Sequence, residues 1–149
     1  MILSADEFRR LVETIWHTQL GLTLEKADTD EIEAALSRRE TVAIGLEISG
    51  DFEGTLVQRC SHHVALLAAK AAFANREGDL GAGDARDVVA EIAHMTAGNL
   101  KSLLPGQCSV SLPGTSDSSG PELAIEAEAG FRLENEPLIV SLRSVSRTK

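Results

Sequence analysis

Aromatic residues make up 3% of this sequence, with four Phe, one Trp and no Tyr. Stacking platforms for bases or sugars are hard to build from so few rings, so the core is expected to be aliphatic. Cysteine is equally scarce. Cys60 and Cys108 are too few for a disulfide framework and read as two thiols in a reducing compartment. Positive charge is in deficit as well: 14 Lys and Arg stand against 23 Asp and Glu, for a formal net charge of −9 and a pI near 4.9. The cations are scattered, which argues against a nucleic-acid binder and its basic patch. No apolar run reaches the roughly 18 residues needed to span a bilayer. The first ten residues, MILSADEFRR, lack the charged segment and apolar core of a signal peptide. A cytoplasmic protein is expected, with neither nucleic acid nor membrane as its partner.

Several chemistries lack a foothold. The sequence has no GxGxxG, no Walker loop, no HExxH and no GxSxG. Ser109, Ser111 and Cys108 fall in a strand-like run with no His nearby in sequence, so nothing there points to a nucleophile. Cys60, His62 and His63 lie close together, but zinc needs three or four convergent ligands. Adjacent histidines on a helix point about 100° apart. No metal site is expected.

What is present fits a single domain over residues 1–149, with 43% hydrophobic and 25% charged residues. Ser4, followed by Asp6 and Glu7, reads as a helix start. Phe8, Leu11, Val12, Ile15, Trp16 and Leu20 repeat at helical spacing, and Gly21 stops the helix. Trp16 is read as a core or interface aromatic. Residues 28–39 are polar and acidic, a short surface helix or a loop. TVAIGLEIS and FEGTLVQRC around Gly50-Asp51 read as a hairpin. Ser61 then caps an Ala- and Leu-rich helix, and NREGDLGAG (75–83) is a connection. CSVSLPG reads as a strand and TSDSSG (115–120) as a loop. ELAIEAEAGF and EPLIVSLRSV alternate as two closing strands before a polar SRTK tail; Pro137 suits a first position or an edge. The fold class is therefore α+β: an antiparallel sheet, made of one hairpin and three further strands, packed against long helices.

The most informative stretch is DARDVVAEIAHMTAGNLKSLL, residues 84–104, which reads as one helix with Asp84 as N-cap and a stop at Pro105-Gly106. Val89, Ile92, Ala93, Thr96, Leu100, Leu103 and Leu104 form its apolar side, flanked by Val88 and Met95. The opposite side carries Asp87, Glu91, His94, Gly98 and Lys101, spaced i, i+4, i+7, i+11 and i+14, which stacks them along one line. A mid-helix glycine on an exposed line costs about 1 kcal/mol relative to alanine. It makes sense where another backbone approaches closely. Taken alone, the row could equally be an ordinary solvated face.

EIAHMTAGNLKSLLPG followed by SVSLPG resembles the motif helix and next strand of the CheX/CheC family of chemotaxis phosphatases. That family carries a Glu-x-x-Asn motif in a string close to E-[IL]-A-N-M-x-x-G-N-x-K. FRRLVETIWHTQLGLTL is similar to the family's first helix, and the hairpin glycines Gly50 and Gly54 match in place. The resemblance covers most of the chain and implies a CheX-like fold. It further implies docking on a phosphorylated CheY-like receiver domain, with Glu91 anchoring to a receiver lysine. The family's catalytic asparagine, which orients the attacking water, falls on His94, a departure at the reacting position. A neutral imidazole, like the amide, offers one donor and one acceptor. Its ring is bulkier, and water positioning is sensitive to shifts on the order of 1 Å. Asn99 points toward the apolar side and is expected to be structural.

The resemblance leaves two readings: an aspartyl-phosphate phosphatase acting through Glu91 and His94, or a receiver-binding or assembly module with impaired catalysis. In both, Asp87, Gly98 and Lys101 complete the docking face. The chain needs no cofactor, because the receiver supplies its own divalent metal ion. A homodimer through sheet edges is also implied.

Overall fold

The structure is a computed structural model that describes residues 3–74, 82–111 and 123–145. The expected 75–81 portion of the connection, Leu112 and Pro113, the 115–120 loop and the 146–149 tail lie outside the described residues.

The first helix, α1 (Ala5–Leu20), starts where Ser4 accepts a hydrogen bond from the Glu7 amide at 3.1 Å. It ends where Gly21 takes φ +68° and its amide donates to the His17 carbonyl, with Leu22 donating to Trp16. Phe8, Val12, Ile15 and Trp16 are buried. Next come β1 (Glu25–Ala27) and α2 (Thr29–Leu36), the latter capped by Asp28, whose carboxylate accepts from the Asp30 and Glu31 amides. The polar 28–39 segment is therefore mostly helix. The sequence reading has no counterpart to β1.

The expected hairpin forms as β2 (Thr41–Gly50) and β3 (Gly54–Ser61) in continuous antiparallel register from Thr41 opposite Ser61 to Ile48 opposite Gly54. Ser61 caps α3 (His62–Ala72) by accepting from the Val64 amide. The last helix, α4 (Ala82–Leu100), is followed by a 3-10 turn, Lys101–Leu103, and then β4 (Cys108–Val110). Two corrections follow. Asp84 is the third residue of α4 rather than its N-cap. The α-helix also ends at Leu100, and the tighter last turn swings Leu103 out to 39% exposure, off the apolar side where a continuous helix would place it.

Strands β5 (Leu123–Leu133) and β6 (Glu136–Val145) close the fold around Glu134 and Asn135, both at positive φ as a two-residue hairpin turn requires. The sheet has six strands in the order β1-β5-β6-β3-β2-β4. Pro137 is on the central strand β6, but β3 pairs only with residues 138–144. At Pro137 the strand has β5 as its sole neighbour, so the missing donor is tolerated there.

Period-2 alternation assigns the two faces. Val42, Ile44, Leu46, Leu56, Cys60, Leu138, Val140, Leu142, Ala129 and Phe131 point into the main core under α1, α3 and α4. Ile139 points the other way and packs with Ile32 and Leu36 of α2. Ion pairs Glu31–Arg132, Glu33–Arg59 and Arg39–Glu136 hold α2 and its C-terminal end to that second face. Trp16 is fully buried in the main core.

Candidate functional site

Helix α4 crosses the sheet with one side sealed. Val88, Val89, Ile92, Ala93, Thr96, Ala97 and Leu100 are all buried, and the Thr96 hydroxyl is satisfied by donating to the Ile92 carbonyl at 2.8 Å. Gln58, the polar member of the inward row of β3, is fully buried and donates from Nε2 to the Val89 carbonyl at 3.0 Å. Its Oε1 has no hydrogen-bond partner among the described residues. Sequence reasoning missed Gln58. The available signal was its parity with Leu56 and Cys60 on a strand.

The opposite side carries the residues singled out in the sequence. Asp87, Glu91 and Gly98 are exposed and His94 is half-buried, all within α4; Lys101 is exposed in the 3-10 turn. At 100° per residue the four helical residues lie within about 60° of arc, and Glu91 and His94 are about 4.5 Å apart along the axis. Among the described residues Asp87, Glu91, His94 and Lys101 have no ion-pair partner. A Cβ built on Gly98 would meet nothing within 4 Å, so no contact within the described chain requires glycine there. Asn99 departs from expectation. It is exposed, and its amide donates to the Met95 carbonyl one turn back at 2.8 Å.

The C-terminal end of this row is fixed from the hairpin. The Gln107 amide donates to Asp51 Oδ2 at 2.7 Å, and the Asp51 amide donates to the Gln107 carbonyl at 3.0 Å. Gly106, at φ +69°, lies so close to the Asp51 carboxylate that a Cβ there would overlap it.

Beside the row, the C-terminal ends of α1 and α3 and the flank of α4 enclose a trough of about 310 Å³. Leu20, Phe73, Val88, Ile92 and Met95 make it apolar, and Asp87 and Glu91 stand among its lining residues. Its members come from three helices, so no local sequence signal marks it.

The Cys60, His62 and His63 group does not converge. Cys60 faces the core, where burial pushes its thiol up to about 12, while His63 is exposed. Among the described residues no three His, Cys, Asp or Glu side chains are placed to hold one metal ion. Among the same residues no helix is long and apolar enough to cross a membrane.

No curated protein sequence matches the chain. Solved structures do. CheX from Vibrio vulnificus aligns with a TM-score of 0.72 at 16% identity, over 96% of this chain and 97% of that one. The CheX–CheY–BeF3–Mg2+ complex from Borrelia burgdorferi aligns with a TM-score of 0.67 at 16% identity, over 98% and 100%. The FliM middle domain from H. pylori aligns at 0.54 with 8% identity, over 94% and 86%. These likenesses establish the fold. The family model described as chemotaxis phosphatase CheX matches residues 41–133, which is more than half of the sequence and includes Glu91, His94 and Gly98. The chain belongs to the CheX family of chemotaxis phosphatases.

Proposed function

We propose that the outer side of α4 docks on the phosphorylated receiver domain of a CheY-like partner and promotes hydrolysis of its aspartyl phosphate. Glu91 pairs with a receiver lysine. His94, one turn further along, reaches the acyl phosphate and holds the attacking water through a ring nitrogen. The water oxygen bonds to phosphorus as the bond from phosphorus to the aspartyl oxygen breaks. The receiver's aspartate is regenerated as its carboxylate, inorganic phosphate leaves, and the water proton passes through the imidazole to solvent. The divalent ion comes with the receiver, in keeping with a family member crystallised with CheY, BeF3 and Mg2+. Such a partner implies a cytoplasmic protein.

The observation that carries this reading is Gly98. A helical glycine with open space at its missing side chain is destabilising for the isolated chain and useful to a surface that must come close. Glu91 and His94 lie on the same open side. The test is phosphate decay on CheY-like receivers of the same genome, with and without the protein. Acceleration supports the reading, and no acceleration with any receiver ends its catalytic part.

A second reading keeps the docking and gives up the chemistry. His94 favours it, because the imidazole stands where the family has its catalytic amide. The FliM middle domain shares the fold, so the scaffold is not tied to one activity. Under this reading His94→Asn creates or raises phosphatase activity and Glu91→Lys abolishes docking. If His94→Asn lowers an existing activity, the imidazole is catalytic and the second reading falls.

The expected homodimer uses sheet edges. β1 and β4 are the outermost strands, and β4 pairs with β2 only opposite residues 48–50. On the side away from β3, residues 41–46 of β2 are thus left as an edge that no strand covers among the described residues. A light-scattering mass of twice 15.9 kDa is the expected result.

A further inference from the structure

We infer that the trough beside Glu91 receives one large apolar side chain of the docked receiver, carried close to the cation that Glu91 takes. This rests on the docking reading and adds to it where on the receiver the contact is made and what makes it selective.

Three observations converge. The first is size and lining. About 310 Å³ is roughly twice the ~150 Å³ dry cavity that accepts benzene, so a Leu, Met or Phe side chain fits. Met95 is an adaptable wall for such a guest. The second is charge. Asp87 and Glu91 are four residues apart on one helix side, a like-charged pair that disfavours the isolated helix. Neither has an ion-pair partner among the described residues, and none of the described residues lining the trough is Lys or Arg. The guest is therefore apolar with a basic neighbour. An acidic or purely polar segment would leave both carboxylates unopposed. The third is continuity. Asp87 and Glu91 belong at once to the docking row and to the trough, so a receiver on the row covers the trough too. A large side chain seated in a pocket beside a paired charge is how interfaces concentrate their affinity.

Ala72 allows a test. It lines the trough, is exposed on the last turn of α3, and belongs neither to the core nor to the α4 row. The probe is the set of BeF3- and Mg2+-loaded CheY-like receivers from the same genome. Each is titrated against the native chain, Ala72→Glu, Ala72→Trp and Glu91→Lys, with melting temperatures recorded. Expected are native binding, loss of binding with Glu91→Lys, and at least tenfold weaker binding with both Ala72 variants at unchanged melting temperature. If Glu91→Lys abolishes binding while both Ala72 variants bind within twofold of native, the trough is not part of the interface; this inference falls and the docking reading stands. If the Ala72 variants lower the melting temperature and leave binding intact, the trough serves the chain's own packing and the inference is overturned. If the native chain binds none of the receivers, or Glu91→Lys binds as native does, the docking reading falls and takes the trough with it.

Discussion

Gly54 and Gly98 are the same residue placed for opposite reasons. At Gly54 the interior is already full: a Cβ would overlap the Arg143 carbonyl oxygen of β6 and approach Phe52 to 2.8 Å. At Gly98 there is nothing to meet among the described residues. The hairpin glycine is explained by contacts within the chain, and the helix glycine is not. A feature that weakens the isolated fold and has no internal reason directs attention to what comes from outside, and Gly98 does so beside Glu91 and His94.

That contrast can be broken by experiment. Gly54→Ala should be the most damaging change, because its neighbour is a backbone carbonyl in the centre of the sheet and cannot move aside. A loss of about 3 kcal/mol or more is expected. At this chain length that is on the order of 10 °C in melting temperature, read by circular dichroism. Gly98→Ala should do the reverse for stability, raising it by about 1 kcal/mol, while weakening receiver binding under the proposed docking. An alanine that stabilises and binds as well as native would remove the external reason for this glycine.

Gln58→Leu sharpens the comparison from inside the core. It removes an unpartnered buried Oε1 together with one hydrogen bond to α4, so stability should stay within about 1 kcal/mol of native or rise. A loss of several kcal/mol would mean that Oε1 has a partner. The cysteines repeat the contrast on the smallest scale. At neutral pH a thiol reagent should label half-buried Cys108 and spare Cys60 until the chain unfolds. Burial raises the Cys60 thiol from 9.0 to about 12. The unfolded chain therefore releases this proton first. The associated stability is intact below about pH 9 and is lost as pH climbs toward 12, seen as a falling melting temperature in alkaline buffer.

Much of this could be read along the chain, because the signals were local. Ser4 and Gly21 bracket α1, Ser61 starts α3, and alternation along much of β2, β3, β5 and β6 marks the strands. The row on α4 follows from helical spacing alone, and its link to a family from the string around Glu91. What escaped depends on distant partners. β1 is three residues with no buried position, and its pairing to β5 is invisible locally. α2 has only Ile32 and Leu36 to bury, and Ile139, which covers them, lies a hundred residues away. Asp84 has the chemistry of a cap, yet the helix starts two residues earlier. Leu103 fits the apolar period only if the helix does not tighten at Lys101.

The reciprocal pair between Asp51 and Gln107 has a thermodynamic consequence. It pins the segment after α4 to the turn of the β2–β3 hairpin, so the helix is held along its buried side and beyond its C-terminal end. Glu91 and His94 therefore ride on a preordered support, and a partner docked as proposed would meet them without first having to immobilise it. Association through this helix should leave its amide hydrogen-exchange rates nearly as slow in the free protein as in the complex.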